Sequence, residues 1–323
     1  MKIQVIINPK SKNGNNYSLV STLWKKFSHC LVDIQQTYYP KHATDIARKA
    51  VKENVDTLVV VGGDGTVNEV LNGIAGTDVA LGIIPAGTAN DLASHYHIPA
   101  DAIKACDIIL ERCVHRTDVI CVNGMCYITG GGIGLPCEVA NIANRIKRNG
   151  RIGRLLVKML GSNLYILSVL ITLMQKCTQQ KLLFIKSNGS FFMVDTLSLM
   201  VDNQSFLGKN FLMSPGAVND DGIFDICLIE NSKSRMQILL ILMKVLTGKH
   251  IHFPSVWTWR AGELVVYSQK PLMYFGDGEI FEEGLEFKIK IFPRALNVIV
   301  PKAFLESQQD LVRSAAREHV PCS

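Results

Sequence analysis

A glycine-rich turn follows an apolar run near residue 60 and carries one carboxylate. The run at residues 57–61 leads into Gly62-Gly63-Asp64-Gly65, and a helical pattern begins directly after it. Glycine allows a tight turn and close approach to a ligand, and the backbone amides at a helix start point towards an anion. The turn therefore predicts phosphate binding, with a bound Mg²⁺ offsetting the charge of Asp64. Taken alone, it is equally typical of a strand-to-helix turn with a capping aspartate.

A second turn of similar chemistry follows the next apolar run. Residues 85–91 read Pro-Ala-Gly-Thr-Ala-Asn-Asp and supply the glycine Gly87, the hydroxyl of Thr88 and the carboxylate of Asp91. Ligands of open parallel sheets bind at the carboxyl ends of the strands, so two such turns on adjacent strand ends predict one site. No Gly-Lys-Ser/Thr follows either turn, which excludes a Walker A loop.

Two acidic turns occur later in the chain. Asn219-Asp220-Asp221-Gly222 has the composition of a β-turn, and a cation site is the alternative. In Gly276-Asp277-Gly278-Glu279 the glycines allow both carboxylates to project from a turn into a cleft. Phosphoryl transfer to an alcohol needs a group that accepts the hydroxyl proton, a role that Glu279 suits. A hairpin turn with exposed carboxylates is the simpler interpretation of this segment by itself.

These segments occur together with Asn8-Pro9 and Asp118-Val119, in the order and spacing of the diacylglycerol kinase catalytic-domain family. Over nearly its whole length the chain resembles the bacterial lipid kinases of that family, and it is similar to sphingosine and ceramide kinases. The resemblance implies an ATP-binding α/β domain of the NAD-kinase type and a β-sandwich domain for the lipid.

The same resemblance implies how the nucleotide is held. The residues that would bind ATP are Asn8, Thr37, Gly62, Gly63, Asp64, Gly65, Thr66, Val67, Asn68, Gly87 and Thr88.

The resemblance also implies roles for acidic residues. Asp64, Asp91 and Asp118 would form a network around catalytic Mg²⁺, and Glu279 would be the general base. A structural Mg²⁺ would be held by one carboxylate and two backbone carbonyls, those of Asp221, Val218 and Ile223.

The elements that must position these residues change character near residue 118. Before it, short apolar runs alternate with helix-length segments such as residues 43–54; the runs are residues 3–7, 31–37, 57–61 and 79–84. This alternation predicts a parallel sheet with helices on its faces. After it, strand-like runs separated by turns predict a mostly antiparallel β domain; they are residues 119–122, 196–201, 224–229, 263–267, 287–292 and 296–300.

We therefore predict two domains. Residues 1–120 form the ATP-binding domain, with residues 301–323 as a candidate segment that completes it, and residues 121–300 form the lipid domain. The predicted fold is an α/β N-terminal domain, with a parallel sheet and flanking helices as in NAD kinase, followed by an antiparallel β-sandwich. Two helices, at residues 152–175 and 236–246, are expected to interrupt the sandwich.

The positive charge is concentrated in one stretch. Lys+Arg 34 exceed Asp+Glu 28, and residues 139–194 contain no acidic residue. Apolar helices with basic flanks, as predicted at 152–175 and 236–246, can lie on an anionic membrane, and packing into the core with a solvated basic face is the alternative. The predicted partners are ATP, a lipid alcohol and an anionic membrane surface, without nucleic acid, and a homodimer is left open.

The cysteine pattern indicates the cellular compartment in which the protein folds. All 9 are scattered and none forms a C-x-x-C pair, which argues against a zinc module and a disulfide framework and for a reducing cytosol. Residues 1–9 lack a basic region followed by a long apolar run, so we expect no signal peptide. The prediction is a cytoplasmic protein that associates peripherally with the membrane.

Two further patterns resemble ligand sites, and neither is assigned as one. Trp257-x-Trp259 has strand spacing, so both rings should lie on one face, which predicts packing, with a lipid groove as the alternative. The glycines of residues 130–134 lack the βαβ context of a dinucleotide loop.

Together with the resemblance, these patterns predict an ATP- and Mg²⁺-dependent lipid kinase. The resemblance implies diacylglycerol as the acceptor and phosphatidic acid as the product, since the patterns themselves do not name the acceptor. Phosphatidylglycerol and a sphingoid base are the alternative acceptors. An NAD-kinase-like enzyme is the rival enzyme, because it shares the Gly-Gly-Asp-Gly turn. A non-catalytic nucleotide- or lipid-binding protein is the rival of a different class.

Overall fold

The structure is a computed structural model of the 323-residue chain. It describes residues 1–11, 17–148, 167–168, 171–172, 181–208, 211–232 and 234–308. The chain divides into two compact units: the first contains Met1–Thr117 and Leu296–Ser323, and the second contains Asp118–Ala295.

A parallel sheet forms the centre of the first unit. Its first four strands are β1 (Lys2–Ile7), β2 (Leu31–Gln36), β3 (Thr57–Gly62) and β4 (Ala80–Pro85). They lie in the order β4-β3-β1-β2, and every pair is parallel. β3 and β4 are buried along their whole length, as expected for strands covered on both faces. The predicted α/β fold with a parallel sheet is therefore confirmed.

The end of the chain extends this sheet. The long strand β15 (Glu279–Ile299) pairs with β4 in parallel through Asn297 and Val298. The backbone N–H of Val300 then donates to the carbonyl of Cys113, at 2.8 Å. Residues 302–308 are helical, and the side chain of Phe304 is buried. The described C-terminal residues are thus part of the first unit's core.

Five helices lie among the described residues before residue 118. They are α1 (Tyr17–Lys26), α2 (His42–Lys52), α3 (Asp64–Ile74), α4 (Asp91–His95) and α5 (Ala102–Glu111). α3 buries Val67, Val70, Leu71 and Ile74, the spacing of one helical face. Its Glu69 carboxylate accepts a hydrogen bond from the N–H of Ala43 in the first turn of α2, at 3.1 Å. This bond satisfies one of the amides that a helix start leaves without an intrahelical partner.

The second unit is built mainly of antiparallel strands. They are β5 (Val114–Val122), which begins in the first unit, β6 (Met125–Tyr127), β7 (Gly130–Gly134), β8 (Lys181–Ser187), β9 (Ser190–Asp202), β10 (Phe206–Leu207), β11 (Phe211–Leu212), β12 (Phe224–Glu230), β13 (Val256–Ala261), β14 (Glu263–Gly276) and most of β15. In the parts of this unit that the structure describes, the helices with both ends described are α6 (Leu135–Arg148), α7 (Arg235–Val245) and a 3₁₀ turn at Lys249–His252.

The long strands β9 and β14 each pair with both β7 and β8, so these four strands form a closed set of pairings. The first part of β9 pairs with β8 and its second part with β7, and β14 pairs with the same two strands. The enclosed core includes Ile226, Val266, Tyr274 and Phe287. A second core contains Ile238, Ile241 and Val245 of α7 together with strand residues such as Ile229. The predicted antiparallel β-sandwich is confirmed.

Several predicted strands and helices match the structure, and in one case two predicted strands belong to a single longer strand. The predicted strands at residues 287–292 and 296–300 are parts of the single strand β15, and the predicted helix at 236–246 is α7. The predicted helix at 152–175 lies outside the described residues, apart from 167–168 and 171–172. Among the helices of the described residues, none is long and apolar enough to cross a bilayer.

The glycine run at 130–134 is strand β7, which the sequence did not predict. β7 lies between β9 and β14. Gly132 has φ +157, and a Cβ atom there would lie 2.1 Å from the carbonyl oxygen of Leu199. Glycine is therefore needed because neighbouring backbone approaches this strand too closely for a side chain.

A disulfide joins Cys121 and Cys126. The two residues face each other across the β5–β6 hairpin, with Cα atoms 4.0 Å apart. The expectation drawn from scattered, unpaired cysteines is wrong for these two, because hairpin register brings them together and no C-x-x-C spacing marks it.

Candidate active site

The predicted nucleotide-binding residues gather at one edge of the first unit's sheet. Asn8 follows β1, Thr37 follows β2, Gly62 ends β3 and Gly87 follows β4. The N–H of Asn8 donates to the carbonyl of Val61, and the N–H of Thr37 donates to that of Ile7. Because all four strands are parallel, these residues occupy the carboxyl edge, where ligands of such sheets bind.

The two glycine turns touch each other through their backbones. A Cβ atom on Gly87 would lie 2.5 Å from the Cα of Gly63, and one on Gly63 would lie 2.9 Å from the Cα of Gly87. The N–H of Ala86 also donates to the carbonyl of Gly62, at 2.8 Å. The two turns therefore lie against each other, as a single shared site would require, and the site itself stays a prediction.

Asp64 holds the second turn with its carboxylate. Oδ2 accepts the N–H of Asn90 at 2.8 Å, and Oδ1 accepts the N–H of Asp91 at 2.7 Å. Burial raises the pKa of Asp64, although these amides act in the opposite direction. A nearby cation would therefore stabilise the charged form of this half-buried carboxylate.

The side chain of Asn90 forms two hydrogen bonds to the backbone of Gly87 within the second turn. Its Oδ1 accepts the N–H of Gly87 at 2.8 Å, and its Nδ2 donates to the carbonyl of Gly87 at 3.2 Å. Asn90 adopts φ 52°, a left-handed conformation that Asn tolerates better than most residues. The sequence pattern placed the Asn90 amide at this strand end without assigning it to the site, and in the structure its side chain shapes the turn that carries Thr88.

The start of α3 supplies further polar groups. Nδ2 of Asn8 donates to Oγ1 of Thr66 at 2.9 Å, which ties the segment after β1 to the first turn of α3. Asn68 is buried, and its Oδ1 accepts from Nδ2 of Asn72 at 3.2 Å. The N-terminal amides of α3, beginning at Asp64, lie beside the contact between the two turns. This is the arrangement by which helix starts bind phosphate groups.

These residues fit a magnesium ion. Asp64 and Asp91 begin the helices that follow two adjacent strand ends, and the N–H of one bonds the carboxylate of the other. Carboxylate oxygens close to phosphate-binding amides are the donors that Mg²⁺ uses together with substrate phosphates.

Asp118 lies in the second unit, where it organises two loops. Its carboxylate is fully buried, and it accepts the N–H of Gly222 and the N–H of Arg294, both at 2.7 Å. Burial raises the pKa of Asp118, the two amides lower it, and Asp220 and Asp221 raise it further. The carboxylate is thus already bound to the acidic turn that the sequence singled out.

A buried amide next to Asp118 was missed by sequence reasoning. Nδ2 of Asn203 donates to the carbonyls of Asp118 and Ile128, at 2.9 and 3.0 Å. The feature of the sequence that could have identified Asn203 is the change from the apolar run of β9 to consecutive polar residues at 202–204.

The predicted structural cation site contains an ion pair instead. Asp221 forms a salt bridge with Arg260, whose Nε also lies 3.4 Å from Oδ2 of Asp225. Oδ1 of Asp221 accepts the N–H of Ile223 at 3.2 Å, and Val218 is exposed. A guanidinium already neutralises this carboxylate, so the donor set does not fit a second cation on the same oxygens. Within the described parts of the chain, no cluster of three His, Cys, Asp or Glu side chains suits a metal.

The hairpin that carries Glu279 is anchored by its neighbour Asp277. Asp277 and Gly278 both have positive φ, the conformation of a two-residue type I′ turn between β14 and β15. The Asp277 carboxylate accepts the N–H and the hydroxyl of Thr129, at 2.8 and 2.6 Å. The expectation that both carboxylates project from the turn is therefore wrong for Asp277. Glu279 itself lies at an exposed position of the hairpin.

The tryptophan pair has a packing role. Trp257 and Trp259 both contact Phe192, with ring centroids 6.1 and 5.8 Å apart, and Nε1 of Trp259 donates to Oγ of Ser187. The prediction that both rings share one face of the strand is confirmed.

The fold thus joins an α/β unit, with two glycine turns at its strand ends, to a β-sandwich, the plan of the kinases related to NAD kinase. Residues 2–122 match the diacylglycerol kinase catalytic domain, and residues 137–300 match the YegS C-terminal NAD kinase beta sandwich-like domain. The chain therefore belongs to the diacylglycerol kinase family of lipid kinases, as its motifs indicated.

Curated relatives agree over nearly the whole length. The chain is 27% identical to the diacylglycerol kinase of Bacillus subtilis over 316 residues, which cover 96% of this chain and 99% of the relative. It is 28% identical to the diacylglycerol kinase of Mycobacterium tuberculosis over 311 residues, covering 93% and 96%.

Solved structures show the same fold. A diacylglycerol kinase from Bacillus anthracis has a TM-score of 0.67 at 20% identity, covering 94% of this chain and 98% of that one. An NAD kinase from Archaeoglobus fulgidus in complex with ATP has a TM-score of 0.53 at 12% identity, covering 97% and 99%.

Proposed function

We propose that this lipid kinase uses ATP and Mg²⁺ to phosphorylate the hydroxyl group of diacylglycerol, giving phosphatidic acid. The observation that carries the proposal is the contact between the Gly63 and Gly87 turns, bridged by the Asp64 carboxylate at the carboxyl edge of the sheet. Phosphoryl transfer depends on positioning and charge neutralisation, and this edge offers backbone amides, hydroxyls and carboxylates together.

The nucleotide is assigned to this edge. The amides of the turn at Gly63 and Gly65 would hold phosphate oxygens. The N–H groups of Thr66 and Val67 already donate to the carbonyl of Gly63, so these two residues and Gly62 are assigned to the lining of the nucleotide site. Side chains and turns around them complete the assignment: Asn8, Thr37, Asn68, Gly87 and Thr88. When bound, Mg²⁺ neutralises charge on the transferring phosphates, and Asp64, Asp91 and Asp118 are the carboxylates assigned to its network.

Glu279 is assigned as the general base. A carboxylate at an exposed hairpin position can accept the proton of an incoming hydroxyl as the new oxygen–phosphorus bond forms. Asp277 is a positioning residue in this scheme, because its bonds to Thr129 fix the turn that precedes Glu279. The assignment of Val218, Asp221 and Ile223 to a structural cation stays a prediction, which the Arg260 ion pair disfavours.

The acceptor and location follow from family membership and charge. The relatives from Bacillus subtilis and Mycobacterium tuberculosis, which match over more than nine-tenths of the chain, are diacylglycerol kinases, and this supports diacylglycerol over phosphatidylglycerol or a sphingoid base. A third relative with similar coverage is a probable YegS-like lipid kinase, which supports a lipid acceptor without naming it. A lipid acceptor requires access to a bilayer, and the net charge of +6 suits an anionic surface. We therefore propose that the enzyme binds peripherally to the membrane, and its cytoplasmic location stays the prediction made from the sequence.

The test is phosphoryl transfer from labelled ATP to a lipid panel in mixed micelles, with and without Mg²⁺. The panel contains diacylglycerol, phosphatidylglycerol and sphingosine. The Glu279→Gln variant should lose roughly a hundredfold or more in kcat. The matched control is Glu283→Gln, an exposed carboxylate further along β15, which should stay near native activity. Equal activity of the two variants would remove the base assignment, and label in another lipid would replace the acceptor.

An NAD-kinase-like reaction is the second candidate, because the fold resembles that of an NAD kinase. The same assay with NAD as acceptor separates the two. Formation of NADP without labelled lipid would overturn the lipid acceptor.

A further inference from the structure

Helix α7 is held in the second unit by one of its faces. Its side chains Ile238, Ile241 and Val245 are buried in a core cluster with residues such as Ile229. The hydroxyl of Ser234 accepts the N–H of Gln237, which caps the start of the helix. The orientation of α7 about its own axis is therefore determined by packing.

The opposite side of α7 is also apolar. We define the α7 outer face as Met236, Leu240, Met243 and Leu246, whose exposures are 65%, 45%, 57% and 44%. At 3.6 residues per turn, Met236, Leu240 and Met243 fall within about 60° of one another around the axis, away from the buried face. A surface helix of a globular protein normally carries polar residues there. Four large apolar side chains on one exposed helix face are typical of an interaction surface.

Basic residues border this face. Arg235 and Lys244 are exposed on either side of the apolar stripe, and Lys249 is exposed just after the helix. Residues 231–262 contain no acidic residue, whereas Glu230 and Glu263 lie directly outside this stretch. An apolar stripe between cations is the composition of a helix that lies in the interface of an anionic bilayer.

The basic border also argues against two other binding partners for the α7 outer face, a second copy of the chain and the chain's own segment at residues 139–194. A second copy related by a two-fold axis would place the same basic residues opposite each other, because the same patch is used on both sides. The chain's own segment at residues 139–194 is also free of acidic residues and contains basic ones, so it would repel this border. An anionic lipid surface is the occupant whose charge complements the patch.

We propose that the α7 outer face docks this protein on anionic bilayers. The apolar side chains enter the boundary between headgroups and acyl chains, while Arg235, Lys244 and Lys249 bind lipid phosphates. The inference deepens the proposed function, on which it rests for the reason why the chain needs a bilayer.

The test is flotation of the full-length protein with vesicles of phosphatidylcholine alone or with phosphatidylglycerol added. The native protein should bind the anionic vesicles, and high salt should weaken that binding because the charges are exposed. Leu240→Gln/Met243→Gln should lower the partition coefficient about tenfold or more. Arg235→Gln/Lys244→Gln should lower it about twenty-five-fold, at roughly fivefold for each basic residue near the surface.

Matched controls change equally exposed residues elsewhere. Leu31→Gln/Trp24→Gln removes apolar groups of similar exposure from the first unit, and Lys52→Gln/Lys270→Gln removes two exposed charges. Both controls should float like the native protein. Loss of binding in the α7 variants alone supports the proposal. Absent native binding, or equal binding by the α7 variants, overturns it.

Two further measurements separate this proposal from its rivals. A native dimer by light scattering that Leu240→Gln/Met243→Gln converts to monomers would assign the face to a second copy and overturn the proposal. Kinase assays with a dispersed short-chain diacylglycerol and with vesicle-embedded diacylglycerol separate docking from chemistry. The α7 variants should lose activity only on vesicles. If no lipid is phosphorylated but flotation still depends on α7, the proposed function fails and the docking surface stands.

Discussion

At the scale of single residues, carboxylates of the motif segments bind backbone amides that are distant in sequence. Asp64 holds the turn at residues 90–91, Asp118 holds Gly222 and Arg294, and Asp277 holds Thr129. Removing a buried acceptor leaves such amides without a partner and costs about 1–3 kcal/mol for each group. Substituting these residues therefore changes the shape of the site as well as its charge.

Asp202 is a buried carboxyl whose charge opposes folding. It is 1% exposed, it accepts the hydroxyl of Ser214 at 2.6 Å, and burial raises its pKa from 3.8 to about 8. Between these two pKa values folding takes up a proton, so the free energy of unfolding falls as the pH rises. The carboxyl is least favourable to folding above pH 8, where it must be buried as an anion.

We predict that Asp202→Asn removes this pH dependence. Its side chain stays neutral and retains an oxygen that can accept from Ser214. Relative to the native protein, it should gain roughly 2–4 kcal/mol between pH 5 and pH 8. Urea unfolding at both pH values measures the difference. The control is Asp78→Asn at an exposed position, and a native-like pH slope in Asp202→Asn would contradict the prediction.

At the scale of elements, the site depends on adjacent parallel strands ending level with each other. β3 pairs with β4 through Gly62 and Pro85, so the turns that follow start side by side. Their backbones then meet at Gly63 and Gly87, where no Cβ atom fits. The geometry of the turns therefore comes from the sheet register together with the absence of two side chains.

We predict that Gly87→Ala separates the two turns. The new Cβ would lie 2.5 Å from the Cα of Gly63 and 2.7 Å from Oδ1 of Asn90, so one turn must shift. The KM for ATP should rise about tenfold or more, because the phosphate-binding amides move with the turn. Steady-state kinetics measure this change. Gly262→Ala is the control, since its Cβ would meet no atom closer than 3.9 Å. An equal KM for ATP in the two variants would contradict the prediction that contact between the turns shapes the nucleotide site.

At the scale of the whole molecule, the first unit is assembled from both ends of the chain. The second unit, Asp118–Ala295, is inserted between them in sequence. Residues from Leu296 onward contribute a strand end next to β4 and the buried ring of Phe304, which meets Tyr96 edge-on at 5.2 Å and His115 at 5.6 Å. The first unit therefore cannot complete its core from residues 1–117 alone.

We predict that Phe304→Ala destabilises the protein by about 3–5 kcal/mol, because it leaves a cavity among the aromatic rings of the first unit. Phe292→Ala, at a half-exposed ring of the second unit, should cost much less. Chemical unfolding followed by circular dichroism compares the two variants. A loss for Phe304→Ala no larger than that of the control would show that the chain end is dispensable for the core.

The sequence by itself determined the features that depend on local pattern. The parallel strands, the glycine turns at Gly62 and Gly87 and the order of the acidic motifs could be predicted, because strand burial and turn chemistry are expressed within a few consecutive residues. Family membership followed from the spacing of those motifs.

The tertiary structure alone decided which groups meet across long separations. It made a strand of the glycines at 130–134, bound Asp277 to Thr129, paired Asp221 with Arg260 and brought Cys121 opposite Cys126. The exposed apolar side of α7 likewise became visible only once its other side was packed. The physical reason is that the partners of a carboxylate, a thiol or a helix face depend on sheet register and chain crossing, which no local pattern encodes.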